Sequence, residues 1–166
     1  MQLTHYNNRF KTKSFPVVLI TDQVSNAPNI GALLRMSDAF GVEKLIFCGD
    51  HIELNRKALR TARATEKSVD FDINRDINEV IDHYKEHDYQ IIALEITSNS
   101  LPIHKFKFNT NVPIALVVGD EKFGISEAIL KRAQDILHIE MYGQNSSMNV
   151  VQATNIALYE ITKQFL

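Results

Sequence analysis

Short apolar runs alternate with helical patterns along the whole chain, and this alternation constrains the fold more than any other feature of the sequence. The runs are rich in Ile, Leu and Val, as in strands of a parallel sheet that is covered on both faces. They predict strands over 17–20, 44–48, 90–96, 114–118 and 136–140, with a short one over 69–71. Helical patterns lie between them, over 29–40, 55–64, 77–87, 126–133 and 148–165. We therefore expect an α/β fold: a mostly parallel sheet with helices on both faces.

The length of 166 residues, 45% of them apolar, predicts a single domain over 1–166, in which residues 1–16 form an N-terminal arm. Cys48 is the single cysteine, so a disulfide framework within the chain is impossible. We see neither a signal segment nor an apolar run long enough to span a bilayer. These observations favour a cytoplasmic protein that does not act at a membrane.

Basic residues gather in two stretches, although the net charge is −2. The stretch 5–13 carries Arg9, Lys11 and Lys13 without an acid, and the stretch 56–67 includes Arg60 and Arg63. Two basic patches on a slightly acidic body suit transient contact with RNA phosphates. A solvated helix face has the same composition, so both interpretations stay open.

The helix predicted from Asn29 is apolar almost all round. At about 100° per residue, two adjacent apolar arcs leave one wedge, which holds Arg35 and Asp38. Such a helix must be buried on more than one side, for instance by a sheet and a second subunit, and a buried guanidinium needs a partner. A structural Arg35–Asp38 pair or a solvent-facing Arg35 is the simpler alternative.

Three polar segments carry candidate chemistry. The segment 26–35 follows the first strand and contains Asn29, a good N-cap residue, and Gly31, whose place in the first helical turn suggests that a backbone or ligand approaches closely. The segment 117–126 runs from a strand into a turn between Gly119 and Gly124, where an open α/β sheet binds ligands. The segment 139–150 is a polar loop before the last helix, where Ser and Asn residues are first of all caps.

In their residues, their order along the chain and their secondary-structure context, these segments resemble the three motifs of the SpoU family of RNA ribose methyltransferases. That family lies within the knotted SPOUT class. The resemblance runs from about residue 17 to residue 165. It implies a C-terminal trefoil knot, a homodimer, and S-adenosylmethionine bound in the knot. The activity it implies is transfer of a methyl group to a ribose 2′-hydroxyl of tRNA or rRNA.

The resemblance also assigns roles to individual residues. Those that match the family's catalytic positions are Arg35, Asn29, Glu121, Ser147 and Asn149. Those that match its cofactor-binding loops are Leu94, Glu95, Ile96, Gly119, Gly124, Ile139, Met141, Gly143, Ser147 and Met148. The resemblance assigns no metal, and Arg9, Lys11, Lys13, Arg60 and Arg63 are the candidates for RNA contact.

Arg35 matches the arginine that is proposed to take the proton of the 2′-hydroxyl. A free guanidinium is a very weak base, with a pKa above about 12. It therefore needs an environment that lowers this value, or it instead stabilises the developing charge on oxygen and a nearby phosphate. The sequence leaves both roles open.

Two positions depart from the family pattern. Glu140 stands before Met141, where proline is frequent, and Val151 stands two residues after Asn149 in place of a serine. We expect altered loop packing with activity retained. Some relatives carry an additional RNA-recognition domain. Because none is visible here, we expect substrate choice to rest on the catalytic domain, its arm and the second subunit. Minimal relatives of this size include tRNA enzymes, which slightly favours tRNA over rRNA.

Three other functions fit the sequence less well. His83 and His87 have the i, i+4 spacing of metal ligands, but they lie among charged residues that are typical of a solvated helix face. A non-catalytic, knotted RNA-binding module would have no use for all five candidate catalytic residues, Asn29, Arg35, Glu121, Ser147 and Asn149. The chain lacks both Gly-rich signatures of nucleotide-phosphate loops.

Overall fold

A computed structural model describes residues 11–166 of the chain. The strands are β1 (Phe15–Asp22), β2 (Val42–Cys48), β3 (Phe71–Arg75), β4 (Gln90–Leu94), β5 (Leu101–Pro102), β6 (Ile114–Gly119) and β7 (Asp135–His138). The helices are α1 (Ala27–Ala39), α2 (Arg56–Ala62), α3 (Ile77–Glu86), α4 (Glu127–Leu130) and α5 (Val150–Gln164). Single 3₁₀ turns span Thr65–Lys67 and Ile103–Lys105.

The seven strands form one sheet in the order β3-β2-β1-β6-β4-β7-β5, and every pair in it is parallel. Alternate residues of β1 point to opposite faces. Val17 and Leu19 join the core under α1, α2 and α5, whereas Val18 and Ile20 join the core under α3 and α4. The prediction of a parallel sheet covered on both faces is confirmed.

Some predicted boundaries are wrong at the ends of elements. The strand expected over 69–71 instead spans Phe71–Arg75, and β5, with only two residues, one of them a proline, was not predicted. β4 ends at Leu94, two residues early, because the Glu95 carboxylate accepts the backbone N–H of Ile96 and that of Ile125. The helix expected over 126–133 is only the single turn Glu127–Leu130.

The predicted N-cap of α1 is also wrong. The helix begins at Ala27, Asn26 is the capping residue, and Pro28 occupies the first turn, where its fixed φ is compatible with a helix and its missing N–H costs nothing. Asn29 therefore lies inside the helix and is 8% exposed. Its side chain is available for a tertiary contact instead of a cap.

A second helix of the same chain covers the other side of α1. A methyl group at Gly31 would clash with the carbonyl oxygen of Ala58 and come within 2.8 Å of Thr61 Cβ on α2. The close backbone approach expected at Gly31 is thus a helix–helix contact. Gly31 lies on the side of Arg35 and Asp38 and not on the second apolar arc, where Ala32 and Met36 are half-buried and Ala39 is exposed. Within residues 11–166, no helix is long and apolar enough to cross a membrane.

Candidate functional site

A cavity of about 400 Å³ lies at the carboxyl ends of three neighbouring strands. Leu94, Gly119 and His138 are the last residues of β4, β6 and β7, and all three line it. The remaining walls come from the turn of residues 119–126, here called the acidic turn, and from residues 139–149, here called the C-terminal loop. This is the edge at which an open α/β sheet binds ligands.

The cavity gathers nearly all the residues that the sequence suggested for cofactor binding. Nine of those ten line it: Leu94, Glu95, Ile96, Gly119, Gly124, Ile139, Met141, Ser147 and Met148. Gly143 does not, since it lies in the exposed part of the C-terminal loop with no heavy atom within 4 Å of a methyl group added there.

Three carboxylates hold the acidic turn in place. Asp22 Oδ2 accepts the N–H of Ser126 at 3.0 Å, Glu95 Oε2 accepts that of Ile125 at 3.0 Å, and Asp120 Oδ1 accepts that of Lys122 at 2.9 Å. Ser126 begins α4 but makes no side-chain capping bond. Asp22 was not among the predicted site residues, although its place at the end of a buried strand is a usable signal.

The two glycines of the acidic turn are required by close packing. A methyl group at Gly119 would clash with the backbone of Gly124 and Ile125. Gly124 has a left-handed φ of 66°, and a methyl group there would meet the Glu95 carboxylate. The turn therefore folds tightly against the end of β4 and leaves the cavity open beside it.

A chain of hydrogen-bonded polar side chains begins at Glu121 on the cavity wall and runs to α1. The Asn149 amide donates to Asn29 Oδ1 at 3.2 Å and to Glu121 Oε1. Asn149 Oδ1 meanwhile accepts the N–H of Val151 at 2.9 Å, which caps α5. Three of the five candidate catalytic residues thus meet, and Ser147 is nearby as an exposed residue of the cavity wall.

Arg35 does not join this group. It lies about 9 Å further along α1 than Asn29 and is rotated by about 120° from it. Of the alternatives that the sequence left open, the single chain has the solvent-facing Arg35 and not the buried one, because the side chain is exposed. Asp38 accepts a hydrogen bond from Ser68 at 2.8 Å, and residues 11–166 contain no Arg35–Asp38 ion pair.

The departures from the family pattern change loop contacts. Glu140 Oε2 accepts the Tyr142 hydroxyl at 3.1 Å and lies 3.5 Å from His104 Nε2. The hydrogen bond to Glu140 raises the pKa of the Tyr142 phenol. Val151 is half-buried against the core. Both side chains serve the packing of the C-terminal loop and α5.

The basic candidates for RNA contact lie outside the cavity. Arg60 and Arg63 are exposed on and just after α2, and Lys11 and Lys13 are exposed before β1. Lys13 Nζ lies 4.7 Å from the centre of the Phe15 ring. Arg9 lies outside the described residues. His87 Nδ1 lies 2.7 Å from the backbone oxygen of His83, and residues 11–166 contain no group of three potential metal ligands.

Residues 16–159 match the model of a family described as the SpoU rRNA Methylase family. A 23S rRNA (guanosine-2′-O-)-methyltransferase RlmB of Blochmanniella floridana is 30% identical over 159 residues, which are 93% of this chain and 61% of that protein. A tRNA (guanosine(18)-2′-O)-methyltransferase of Escherichia coli K12 is 28% identical over 145 residues, which are 86% of this chain and 61% of that protein. The chain thus spans about three fifths of these relatives.

A solved structure, the TrmH/SpoU tRNA modifying enzyme of A. aeolicus, superposes with a TM-score of 0.82. It is 28% identical to this chain, and the match covers 92% of this chain and 77% of that one. The two folds are therefore alike over most of this chain.

Proposed function

The chain belongs to the SpoU rRNA methylase family, and on this basis we propose that it is an S-adenosylmethionine-dependent methyltransferase of the ribose 2′-hydroxyl in tRNA or rRNA. One structural observation carries the proposal. Glu121 lines the cavity at the strand ends, and it is hydrogen-bonded to Asn149, which is in turn bonded to Asn29. A site for a methyl donor therefore adjoins polar groups that can hold the hydroxyl.

The cavity has the size and lining that this cofactor needs. Its volume of about 400 Å³ falls within the usual range for small-molecule sites, and Leu94, Val118, Ile139 and Met148 contribute apolar walls for a flat nucleoside. The same wall carries the carboxylate of Glu121, which suits a cation nearby. When bound, S-adenosylmethionine supplies an electrophilic methyl group.

The protein's own residues orient the 2′-hydroxyl, which is a poor nucleophile and requires in-line placement. Asn149 is fixed by its capping bond to Val151 and positions Glu121 through its amide. Glu95 and Asp120, by contrast, use their carboxylates for backbone N–H groups of the acidic turn. Glu121 is thus the cavity carboxylate placed to accept a hydrogen bond from the substrate hydroxyl.

Arg35 acts as an electrostatic stabiliser of the reacting oxygen in this proposal. An exposed guanidinium presents its N–H donors to the surroundings, which suits stabilisation of a developing alkoxide and a neighbouring phosphate. Since Arg35 lies away from the cavity of its own chain, it reaches the site of a second chain in a homodimer.

Two observations support the homodimer. Arg35 is exposed and does not line the cavity, so the site of one chain lacks the arginine of the family pattern. In addition, Ile156 and Tyr159 are 38% and 59% exposed one turn apart on α5. An exposed apolar pair of this kind is typical of a helix that packs against a partner.

A C-terminal trefoil knot is the second architectural part of the proposal. β5 pairs with the outer edge of β7, and the Gln164 side chain near the end of α5 bonds to Phe106 O at 3.1 Å and Phe108 N at 3.0 Å. The segment 101–108 is therefore attached both to the last strand and to the last helix. This arrangement is what we expect when the C-terminal segment passes through a loop of the preceding chain.

The remaining assignments are also proposals. We propose a single methyltransferase domain with an N-terminal arm at 1–16, although β1 already begins at Phe15. Arg9, Lys11, Lys13, Arg60 and Arg63 contact RNA phosphates. A buried, free Cys48 is compatible with a cytoplasmic setting. We keep the slight preference for tRNA over rRNA as a proposal; the similar proteins include enzymes of both RNA classes, and the chain covers 61% of each.

The test is methyl transfer from labelled S-adenosylmethionine to deproteinised cellular RNA, with Arg35→Ala as the variant. We expect label in 2′-O-methylribose with the native chain. With Arg35→Ala we expect none, while the circular dichroism spectrum and the cofactor affinity are retained. Normal turnover by that variant contradicts the role of Arg35, and absence of transfer by the native chain contradicts the function itself.

A further inference from the structure

Phe123 stands at the tip of the acidic turn with 77% of its surface exposed, although it lines the mouth of the cavity. Phenylalanine is usually buried, and turn tips are usually filled by polar residues or glycine. The fold therefore provides no reason for an aromatic ring at this position.

The turn that presents this ring is held firmly. Asp120 Oδ1 accepts the N–H groups of Lys122 and Phe123, and Asp120 O accepts that of Gly124 at 2.8 Å. Asp22 and Glu95 fix the following residues to the sheet. The ring is thus displayed by a preorganised turn, which lowers the entropic cost of binding to it.

A positive charge lies against the ring. Lys122 Nζ is 4.9 Å from the ring centroid, and no aromatic ring within residues 11–166 stacks on Phe123. An exposed aromatic face next to a lysine is the combination with which proteins bind unpaired nucleotides, since the ring stacks on a base and the ammonium group meets a phosphate.

The ring is also close to the proposed site of reaction. Glu121, which is bonded to Asn149, precedes Phe123 by two residues, so their Cα atoms are at most about 7 Å apart. We propose that Phe123 is a stacking platform for an RNA nucleobase at or next to the methylated ribose. This inference rests on the proposed function, to which it adds a base-binding subsite outside the cofactor cavity.

A nucleobase fits the platform better than the adenine of the cofactor does. With 77% of its surface exposed, the ring can be reached by a ligand that lies outside the cavity. The lysine against the ring also favours a ligand that carries phosphates.

The first experiment compares Phe123→Leu with Phe123→Trp in methyl transfer to deproteinised cellular RNA. Leucine keeps an apolar side chain without a flat ring, and tryptophan keeps the stacking face. We expect Phe123→Leu to raise the KM for RNA about tenfold, in the range of one lost base stack, and Phe123→Trp to keep the native KM. The affinity for S-adenosylmethionine, measured by calorimetry, stays unchanged in both variants.

The second experiment does not depend on turnover. The native chain has no tryptophan, so Phe123→Trp provides a single fluorophore on the platform. Short oligoadenylate should quench its emission by stacking. An abasic oligonucleotide of the same length and charge should bind to the basic surface without this quenching.

The outcomes separate the subsite from the reaction. The stacking role of Phe123 is refuted if native protein methylates RNA and Phe123→Leu has the native KM. It is also refuted if abasic and adenine-containing oligonucleotides quench the emission equally. In both cases the proposed methyl transfer is unaffected. If oligoadenylate quenches the emission and the abasic oligonucleotide does not, but native protein transfers no methyl group, the proposed methyl transfer is refuted and the stacking role of Phe123 is retained. A loss of cofactor affinity in Phe123→Leu would assign the ring to the cofactor and overturn the inference.

Discussion

Asn149 at the start of α5 donates a hydrogen bond of 3.2 Å to Asn29 in the first turns of α1, across 120 residues of sequence. The same amide group bonds to Glu121 in the acidic turn, and its oxygen caps α5. One side chain therefore ties together the beginnings of two helices and the turn beside the cavity.

Replacement of Asn149 by Ala is expected to affect catalysis far more than folding. Loss of the cap costs about 1 kcal/mol of unfolding free energy. Loss of the bond that positions Glu121 lowers kcat for methyl transfer by about 100-fold, comparable to the loss of one oriented donor in an active site. Urea denaturation and steady-state kinetics measure the two effects.

Asn26→Ala is the matched control, because Asn26 caps α1 without a side-chain hydrogen bond. We expect Asn26→Ala to change the unfolding free energy and kcat much less than Asn149→Ala does. Equal kinetic losses in the two variants would mean that Asn149 acts only as a helix cap.

Replacement of Gly31 by Ala tests the contact between α1 and α2. The new methyl group would clash with Ala58 O, which is backbone and cannot rotate away, and would crowd Thr61 Cβ. We expect a loss of about 3 kcal/mol of unfolding free energy, or failure to fold, despite the better helix propensity of alanine. Gly143→Ala, at a site with nothing within 4 Å, should leave the thermal midpoint unchanged. Equal stability of the two variants would refute the close helix contact.

A mixture of two inactive variants tests whether Arg35 serves the site of the partner chain. Arg35→Ala and Asn149→Ala are refolded together so that mixed dimers form. If Arg35 acts across the interface, each mixed dimer keeps one complete site, and random mixing restores about a quarter of native activity. If Arg35 acts within its own chain, every site carries a defect and the mixture stays inactive.

Cys48 is expected to resist alkylation at neutral pH. Burial raises the pKa of this thiol to about 12 from an ordinary value of 9.0, and the nearby Asp22 charge adds to the effect. Because the folded state disfavours the thiolate, the contribution of Cys48 to the free energy of unfolding is fully present below about pH 9. This contribution is lost as the pH rises from 9 to 12. Iodoacetamide labelling at pH 7.5, followed by mass spectrometry, should modify Cys48 only after denaturation. Rapid labelling of folded protein would contradict its burial.

Local sequence signals predicted the central strands of the sheet but not its edges. Val17 to Ile20 and Ile114 to Val118 are continuous apolar runs because both faces of these strands are covered, and such runs are visible in the sequence. β5 is only Leu101–Pro102 and is defined by its pairing with β7, which leaves no local pattern. Asn29 was misplaced as a cap because Asn26 and Asn29 are equally good N-cap residues, and the choice between them depends on tertiary contact.

The candidate site was predicted in composition but not in geometry. The three loops carried recognisable residues, and nine of the ten suggested for the cofactor line one cavity. The helical wheel showed that α1 is apolar on two sides, but it could not show that α2 covers the side of Gly31 or that Arg35 faces solvent. Asp22 and Phe123 were missed because their roles depend on hydrogen bonds and exposure, which a sequence pattern does not record.

The most direct test of the account is the position of the transferred methyl group. Native protein is incubated with methyl-labelled S-adenosylmethionine and deproteinised RNA, and the RNA is then digested to nucleosides and separated. We expect the label to be recovered in a 2′-O-methylated nucleoside. Label on a base, or no label in RNA while the protein binds S-adenosylmethionine, would contradict it.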